Sequence, residues 1–338
     1  MKSKKCWSIR QFLFWLLLTA LAWLVVSRFT EIETLIKTLK QGRWPWILLA
    51  GALQAGYYVL YAALFHFAFY AVGIASRLRN LVFVTLGAVF VNTVAPSGGM
   101  AGLALFIDDA ARHQQSPARA AAGTLLVSIV DFGAFTVVLV AGLVYLFLRH
   151  DLKLYEIIAA LSLLLFTAGQ AGVLLLGLWR PTLLHRLLSW VQRIVNALAH
   201  KFRLRPLPSD WATRNAAEFT GAAAAISSHP WRLGPAVGVG LAAHAVNLAS
   251  LYTLFRAFQQ GTTFGTLVAG YAMGVLFLNI SPIPQGIGVV EATMVLVFAS
   301  LGVSSESALV ITLTFRGLTF WVPLALGALV LHKLKSFH

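Results

Sequence analysis

Apolar runs of membrane-spanning length recur along this sequence from Phe12 to Leu331, and they leave it few ways to fold. A helix needs about 20 mostly apolar residues to cross a bilayer, and several runs exceed that. Only 11% of the 338 residues are charged, where a soluble domain needs roughly a quarter to cover its surface. The sequence therefore predicts an all-α polytopic membrane protein, with no room for a soluble catalytic domain.

The formal net charge is +15. In a soluble protein this would suggest nucleic acid. Here the cations flank apolar runs, where they report topology and meet anionic headgroups. No basic domain stands free of the membrane, so no nucleic-acid partner is expected. The single cysteine, Cys6, excludes an internal disulfide and any Cys-rich metal site. No cofactor is expected. Lys2, Lys4, Lys5 and Arg10 precede the run Phe12–Val26 in the manner of a secretory signal, and Ala20-Leu21-Ala22 resembles its cleavage site. That tripeptide lies inside the run rather than after it, so an uncleaved first span is the better reading.

Six segments look able to cross fully: 10–27, 45–72, 119–148, 154–179, 231–258 and 305–331. Two more apolar stretches, 81–113 and 265–301, are broken by proline and glycine. Lys and Arg concentrate in cytoplasmic loops. This rule puts the N-terminus, Arg77, Arg79, the loop 180–214 and the C-terminal Lys333 and Lys335 inside a bacterial inner membrane. Counting spans between those points, 81–113 begins and ends in the cytoplasm, and 265–301 begins and ends outside. Each is then re-entrant, or crosses twice in two short pieces. Cytoplasmic segments hold 18 Lys/Arg against 4 Asp/Glu, and outer segments 7 against 5, a bias that agrees with this orientation.

The expected organisation is one integral membrane domain over 1–338. It comprises a first span with an outer amphipathic segment (1–43), a half over 44–148, a linking span with a basic cytoplasmic region (149–230), and a second half over 231–338. Within 182–204, Leu183, Leu187, Trp190, Val191, Ile194, Leu198 and Phe202 share one helical face. That pattern fits an interfacial helix on the anionic inner leaflet, or a solvated linker helix. Ile32, Leu35, Ile36 and Leu39 suggest a short amphipathic helix on the outer face.

The halves read as an inverted repeat of six spanning helices plus two re-entrant broken helical hairpins. Gly87-Ala88-Val89-Phe90-Val91-Asn92 matches Gly274-Val275-Leu276-Phe277-Leu278-Asn279. A breaker follows each asparagine: Pro96-Ser97-Gly98-Gly99 in one half, and Pro282, Pro284, Gly286 and Gly288 in the other. One charge lies farther on in each half, Asp131 and Arg316. Proline removes an amide donor and glycine weakens the helix, so each breaker frees backbone groups at depth. Such backbone is tolerated where it is buried in protein or lines a wet cavity. Helices restarting there point their N-termini, with bare N–H groups and partial positive charge, at a shared space suited to an anionic headgroup. The plainer alternative is that these residues only kink their helices.

Asp131 and Arg316 would each cost about 2.5–3.5 kcal/mol at the bilayer centre. They are expected to face the interior and approach each other or one shared polar cavity, as a structural ion pair or in substrate or proton coupling. Glu291 is expected to cap a half-helix or to contact a headgroup or proton. Signs of an intramembrane enzyme are missing: there is no H-E-x-x-H and no G-x-S-x-G. Ser97 reads best as a hydroxyl satisfying freed backbone, Asp108-Asp109 as a solvated turn or helix end, and His66 and His244 as hydrogen-bonded core residues.

Asn92-x-x-x-Pro96-x-Gly98-Gly99 and Pro282-x-Pro284-x-Gly286-x-Gly288-Val289-x-Glu291-Ala292, with Gly302-Val303 and Arg316, resemble the flippase-like membrane domain of bacterial lysylphosphatidylglycerol synthases. The resemblance covers nearly the whole chain. It departs at Asp131, where the family suggests a Glu-Arg pair. In full-length synthases this domain is fused to a cytoplasmic aminoacyl-transferase and moves the modified lipid outward. Here the chain runs to Ser336-Phe337-His338 without such a domain, so synthase activity is not expected. The resemblance implies translocation of an anionic or aminoacylated phospholipid, or of a polyprenyl-phosphate-linked lipid. The candidate substrate contacts are Asn92, Pro96, Ser97, Gly98, Gly99, Asn279, Pro284, Gly286, Gly288, Glu291, Asp131 and Arg316, and the partners are membrane lipids with anionic headgroups. Two alternatives stand beside it: a scaffold for a separate soluble synthase or glycosyltransferase, and an enzyme acting on a lipid-linked substrate.

Overall fold

The structure is a computed structural model that describes residues 42–94, 100–201 and 206–331. The expected first span, the outer amphipathic segment and the breaker Pro96–Gly99 lie outside the described residues. The chain is helical throughout them, in the order α1 (Trp44–Ala71), α2 (Leu78–Val94), α3 (Met100–Arg112), α4 (Pro117–Leu148), α5 (Leu154–Trp179), α6 (Pro181–Lys201), α7 (Trp211–Ser228), α8 (Leu233–Ala257), α9 (Phe264–Ile280), α10 (Val289–Ser300), α11 (Ser305–Arg316) and α12 (Val322–Leu331). A π-helical turn, Gly317–Trp321, joins α11 to α12.

Among the described residues, five helices are long and apolar enough to cross a membrane: Trp44–Ala71, Pro117–Leu148, Leu154–Trp179, Pro230–Ala257 and Ser305–Val330. They coincide with five of the six expected spans to within two residues at each end. Helix starts follow the local chemistry. Ser116 caps α4 by accepting the Arg119 N–H at 3.2 Å, with Pro117 in the first turn, where its missing N–H removes no bond. Thr263 caps α9 through the Thr266 N–H at 3.1 Å. The chain is an all-helical, multi-pass membrane protein.

Helices α1 and α8 run antiparallel through the middle of the molecule. The Arg43 amide donates to the Ala257 carbonyl at 3.0 Å, Ser250 Oγ to the Ala50 carbonyl at 3.2 Å, and Gln54 Nε2 to Asn247 Oδ1 at 3.0 Å. Around this pair the element order long, short, short, long occurs twice, as α1–α4 and as α8 through α11–α12. The packing also corresponds: α9 lies on α4, and α2 lies on α12. A glycine makes each contact close. A Cβ on Gly142 of α4 would stand 2.8 Å from the Ala272 Cβ of α9. One on Gly327 of α12 would meet the Leu86 carbonyl of α2. These glycines follow Asp131 and Arg316 by the same eleven residues.

The two short helices α2 and α3 lie between chain points that are close together, since a Cβ on Gly73, just past α1, would stand 3.5 Å from the Arg119 guanidinium at the start of α4. Helix α6 confirms the amphipathic segment, though its apolar stripe does not pack on the protein. Leu183, Leu187, Trp190, Ile194 and Leu198 are all exposed, as they would be on a membrane surface. Helix α7 was not foreseen. Its alanines and Phe219 pack it against α4, α5 and α6.

The charge-based topology predicts that residues 97–118 face the cytoplasm and 259–264 the outside. With Cys6 replaced by serine, an impermeant thiol reagent applied to intact cells should label Gly261→Cys and leave Gln114→Cys unlabelled. Labelling of Gln114→Cys from outside would reject the re-entrant topology of the first half.

Candidate functional site

Helices α1, α2, α3, α4, α8, α9, α10 and α11 line a cavity of about 250 Å³. It adjoins the break between α9 and α10 and the ends of α2 and α3 on either side of residues 95–99. On one side, Asn92 near the end of α2 accepts the Gly102 N–H of α3 at 2.6 Å, so its side chain ties together the helices that flank residues 95–99. On the other, Gln285 lies in the break between α9 and α10 and lines the same cavity.

The second break takes its shape from the expected residues. Helix α9 ends at Ile280, and Gln285, Gly286 and Gly288 all have positive φ, at 54°, 59° and 85°. Gly286 has a second reason to be glycine: a Cβ there would stand 2.6 Å from the Val290 side chain. Helix α10 then restarts, and Glu291 reaches back to accept the Gly288 N–H at 2.7 Å. Glu291 is thus a half-helix cap.

Glu291 also holds the arginine. Arg316 Nε donates to Glu291 Oε1 at 2.6 Å, and Nη2 donates to the Gln285 carbonyl at 2.9 Å. A guanidinium has five N–H donors, and these two bonds use two of them. The Arg316 side chain is 5% exposed, lies over the Phe320 ring at 4.9 Å, and lines the cavity. The Gln285 carbonyl is aimed by a residue in left-handed backbone, a conformation that a non-glycine side chain adopts only when its surroundings hold it there.

Asp131 does not pair with Arg316, which corrects the expectation of a direct approach. Its Oδ1 lies 3.4 Å from His244 Nε2, and its side chain is 21% exposed. The other expected arrangement holds, because both charges line one cavity. Helix rotation explains the difference: Arg316 faces the break between α9 and α10, while Asp131 faces α8.

Asn92, Asn279, Asp131 and Arg316 all line the cavity. The two asparagines are not equivalent in use, for Asn279 Nδ2 donates to the Val275 carbonyl of its own helix at 2.8 Å. Glu291 contacts the site through Arg316, and Gly286 and Gly288 shape the break. Pro284 opens the short turn Pro284–Gly286 within that break. Pro96, Ser97, Gly98 and Gly99 lie outside the described residues. Asp108 and Asp109 sit apart, each beside a basic residue one helical turn along, Arg112 at 2.8 Å and His113 at 3.7 Å.

Several cavity residues had not been singled out as site residues. Tyr57, Tyr58 and Tyr61 of α1 share one face, and Tyr58 OH donates to the Thr319 carbonyl in the π-helical turn at 2.9 Å. His244 Nδ1 lies 2.9 Å from Tyr271 OH. Thr85 is 2% exposed and its hydroxyl has no partner among the described residues. A readable signal existed in Gln54-x-x-Tyr57-Tyr58-x-x-Tyr61 on α1 and His244-x-x-Asn247-x-x-Ser250 on α8, polar positions at helical spacing within apolar spans.

Residues 11–327 match the family described as the lysylphosphatidylglycerol synthase TM region. The chain is also 20% identical over 325 residues to UPF0104 membrane protein MJ1595 of Methanocaldococcus jannaschii, an alignment covering 95% of this chain and 94% of that one. The chain belongs to the lysylphosphatidylglycerol synthase transmembrane-region family.

Proposed function

We propose that the chain is a flippase-like transporter that moves a phosphate-bearing lipid across the inner membrane with its termini in the cytoplasm. The lipid is an anionic or aminoacylated phospholipid, or a polyprenyl-phosphate-linked carrier. The observation that carries this reading is Arg316: a buried guanidinium with donors left unused among the described residues, on a cavity that adjoins the break between α9 and α10. A planar fork of N–H groups suits phosphate oxygens, and the burial of Arg316 strengthens each bond. The unpartnered Thr85 hydroxyl offers a further donor.

In this reading the two halves form an inverted repeat around α1 and α8, supported by the matching element order and the glycine contacts at Gly142 and Gly327. Rocking one half against the other would open the cavity to alternate faces. The headgroup enters the cavity and the acyl chains stay in the bilayer. Unilamellar vesicles containing this protein alone test the reading. Labelled phosphatidylglycerol should cross the bilayer faster than in protein-free vesicles. Product formation without lipid movement would instead favour an enzyme.

A further inference from the structure

Among the described residues, the charged groups at this cavity form two sets with different chemistry. Arg316 and Glu291 offset each other at 2.6 Å. Asp131 has a histidine beside it instead of a permanent cation. His244 Nε2 lies 3.4 Å from Asp131 Oδ1 and 3.3 Å from the Asp131 backbone carbonyl. A carboxylate and a carbonyl oxygen only accept, so Nε2 carries a hydrogen and donates. The second ring nitrogen, Nδ1, faces the Tyr271 hydroxyl at 2.9 Å, and a hydroxyl donates or accepts. Neutral His244 therefore accepts the Tyr271 hydrogen at Nδ1. Protonated His244 donates from Nδ1 to the Tyr271 oxygen. Rotating the Tyr271 O–H bond converts one arrangement to the other, and no heavy atom has to move.

We propose that Asp131, His244 and Tyr271 form a proton-coupling site: His244 takes up one proton from water when an anionic headgroup binds beside Arg316, and returns it when the headgroup leaves. This rests on the function proposed above and adds the coupling ion to it. With His244 neutral, the groups described here sum to one negative charge, on Asp131. A phosphodiester brings a second negative charge into the same cavity, whose protein walls make repulsion stronger than in bulk water. One proton on His244 restores the balance, and imidazole is the side chain that exchanges a proton near neutral pH. The other cavity-facing groups near this triad are uncharged phenols and amides: Tyr57, Tyr58 and Tyr61 on α1, Asn92 on α2, Asn247 on α8 and Asn279 on α9. Helix α5 presents Phe166 to Phe132, the neighbour of Asp131. One proton and one lipid negative charge then travel together. The step is electroneutral, no bond to carbon or phosphorus changes, and a pH gradient biases it while a membrane potential does not.

The test is calorimetric titration of the purified full chain with dihexanoyl-phosphatidylglycerol, in two buffers of different ionisation heat. Near neutral pH, wild type should take up close to one proton per bound lipid. His244→Gln should take up none and should bind the probe more weakly, because the offsetting proton is lost. As a check independent of that variant's folding, the ¹⁵N resonances of histidine-labelled wild type should show one imidazole becoming imidazolium when the probe is added at constant pH. Probe binding without proton uptake, or without that ¹⁵N change, would overturn the coupling and leave the lipid site standing. Failure of wild type to bind the probe would overturn both. A merely structural network keeps one protonation state in every arm.

Discussion

Arg316→Ala is expected to abolish binding of short-chain phosphatidylglycerol and lipid movement in vesicles, and to cost about 3–5 kcal/mol of stability, the usual loss when one partner of a buried ion pair is removed. The stability loss arises at Glu291, which keeps its bond to the Gly288 N–H but loses the guanidinium at 2.6 Å. The double variant Arg316→Ala with Glu291→Gln separates the two effects. A neutral glutamine oxygen still accepts the Gly288 N–H, and no unpaired carboxylate remains, so most of the stability should return. Lipid movement should not return, because the phosphate fork is gone. Arg316→Lys adds a graded check. It keeps the charge and loses the planar fork, so it should fold better than Arg316→Ala and bind the probe at least tenfold more weakly than wild type, a loss of about 1.4 kcal/mol. Full lipid movement by Arg316→Ala would end the claim for this residue.

The second large effect is expected at Gly327 and Gly142. Gly327→Leu must push α12 off α2, because the obstacle is the Leu86 backbone carbonyl and not the end of a flexible side chain. Gly142→Leu must part α4 from α9, because the Ala272 Cβ, which cannot swing away, stands 2.8 Å from a would-be Cβ. Overpacking usually costs about 1–3 kcal/mol, and obstacles that cannot swing aside put both variants at about 3 kcal/mol, read as a lower unfolding temperature in detergent. Gly56 and Gly238 are the controls, with nothing within 4 Å of a Cβ at either position. Alanine there should be neutral or stabilising by up to about 1 kcal/mol, since it only improves helix propensity. If Gly142→Leu and Gly327→Leu were as stable as these controls, the two close contacts would not hold the halves together.

The spans were legible because membrane solvation imposes its length rule residue by residue. Five spans stand where apolar length and flanking Lys and Arg put them. The break after Ile280 was legible too, for Pro282, Pro284, Gly286 and Gly288 cannot continue a regular helix, and Gly286 and Gly288 adopt the left-handed backbone that glycine tolerates. The partners of the buried charges were harder to read. Which neighbour Asp131 meets depends on how α4 is rotated against α8, and the answer is His244, 113 residues away. Arg316 meets Glu291, 25 residues away, because α10 restarts beside α11. The tyrosine stripe on α1 escaped notice because tyrosine counts as apolar in a span, although its hydroxyl makes the face polar. Helix α7 was missed because alanines such as Ala216 and Ala222 give little apolar contrast to follow, and their burial against α4, α5 and α6 is a tertiary effect.

Vesicle transport by the unmodified chain bears most directly on the central claim, that a phosphate-bearing headgroup enters the Arg316 cavity and crosses there. Vesicles holding only this protein would carry trace labelled phosphatidylglycerol in one set and a labelled neutral diacylglycerol analogue in another. The account predicts accelerated crossing of the phosphatidylglycerol, competed by dihexanoyl-phosphatidylglycerol, with no competition at the neutral lipid. Equal acceleration of both lipids, or none of either, would contradict it.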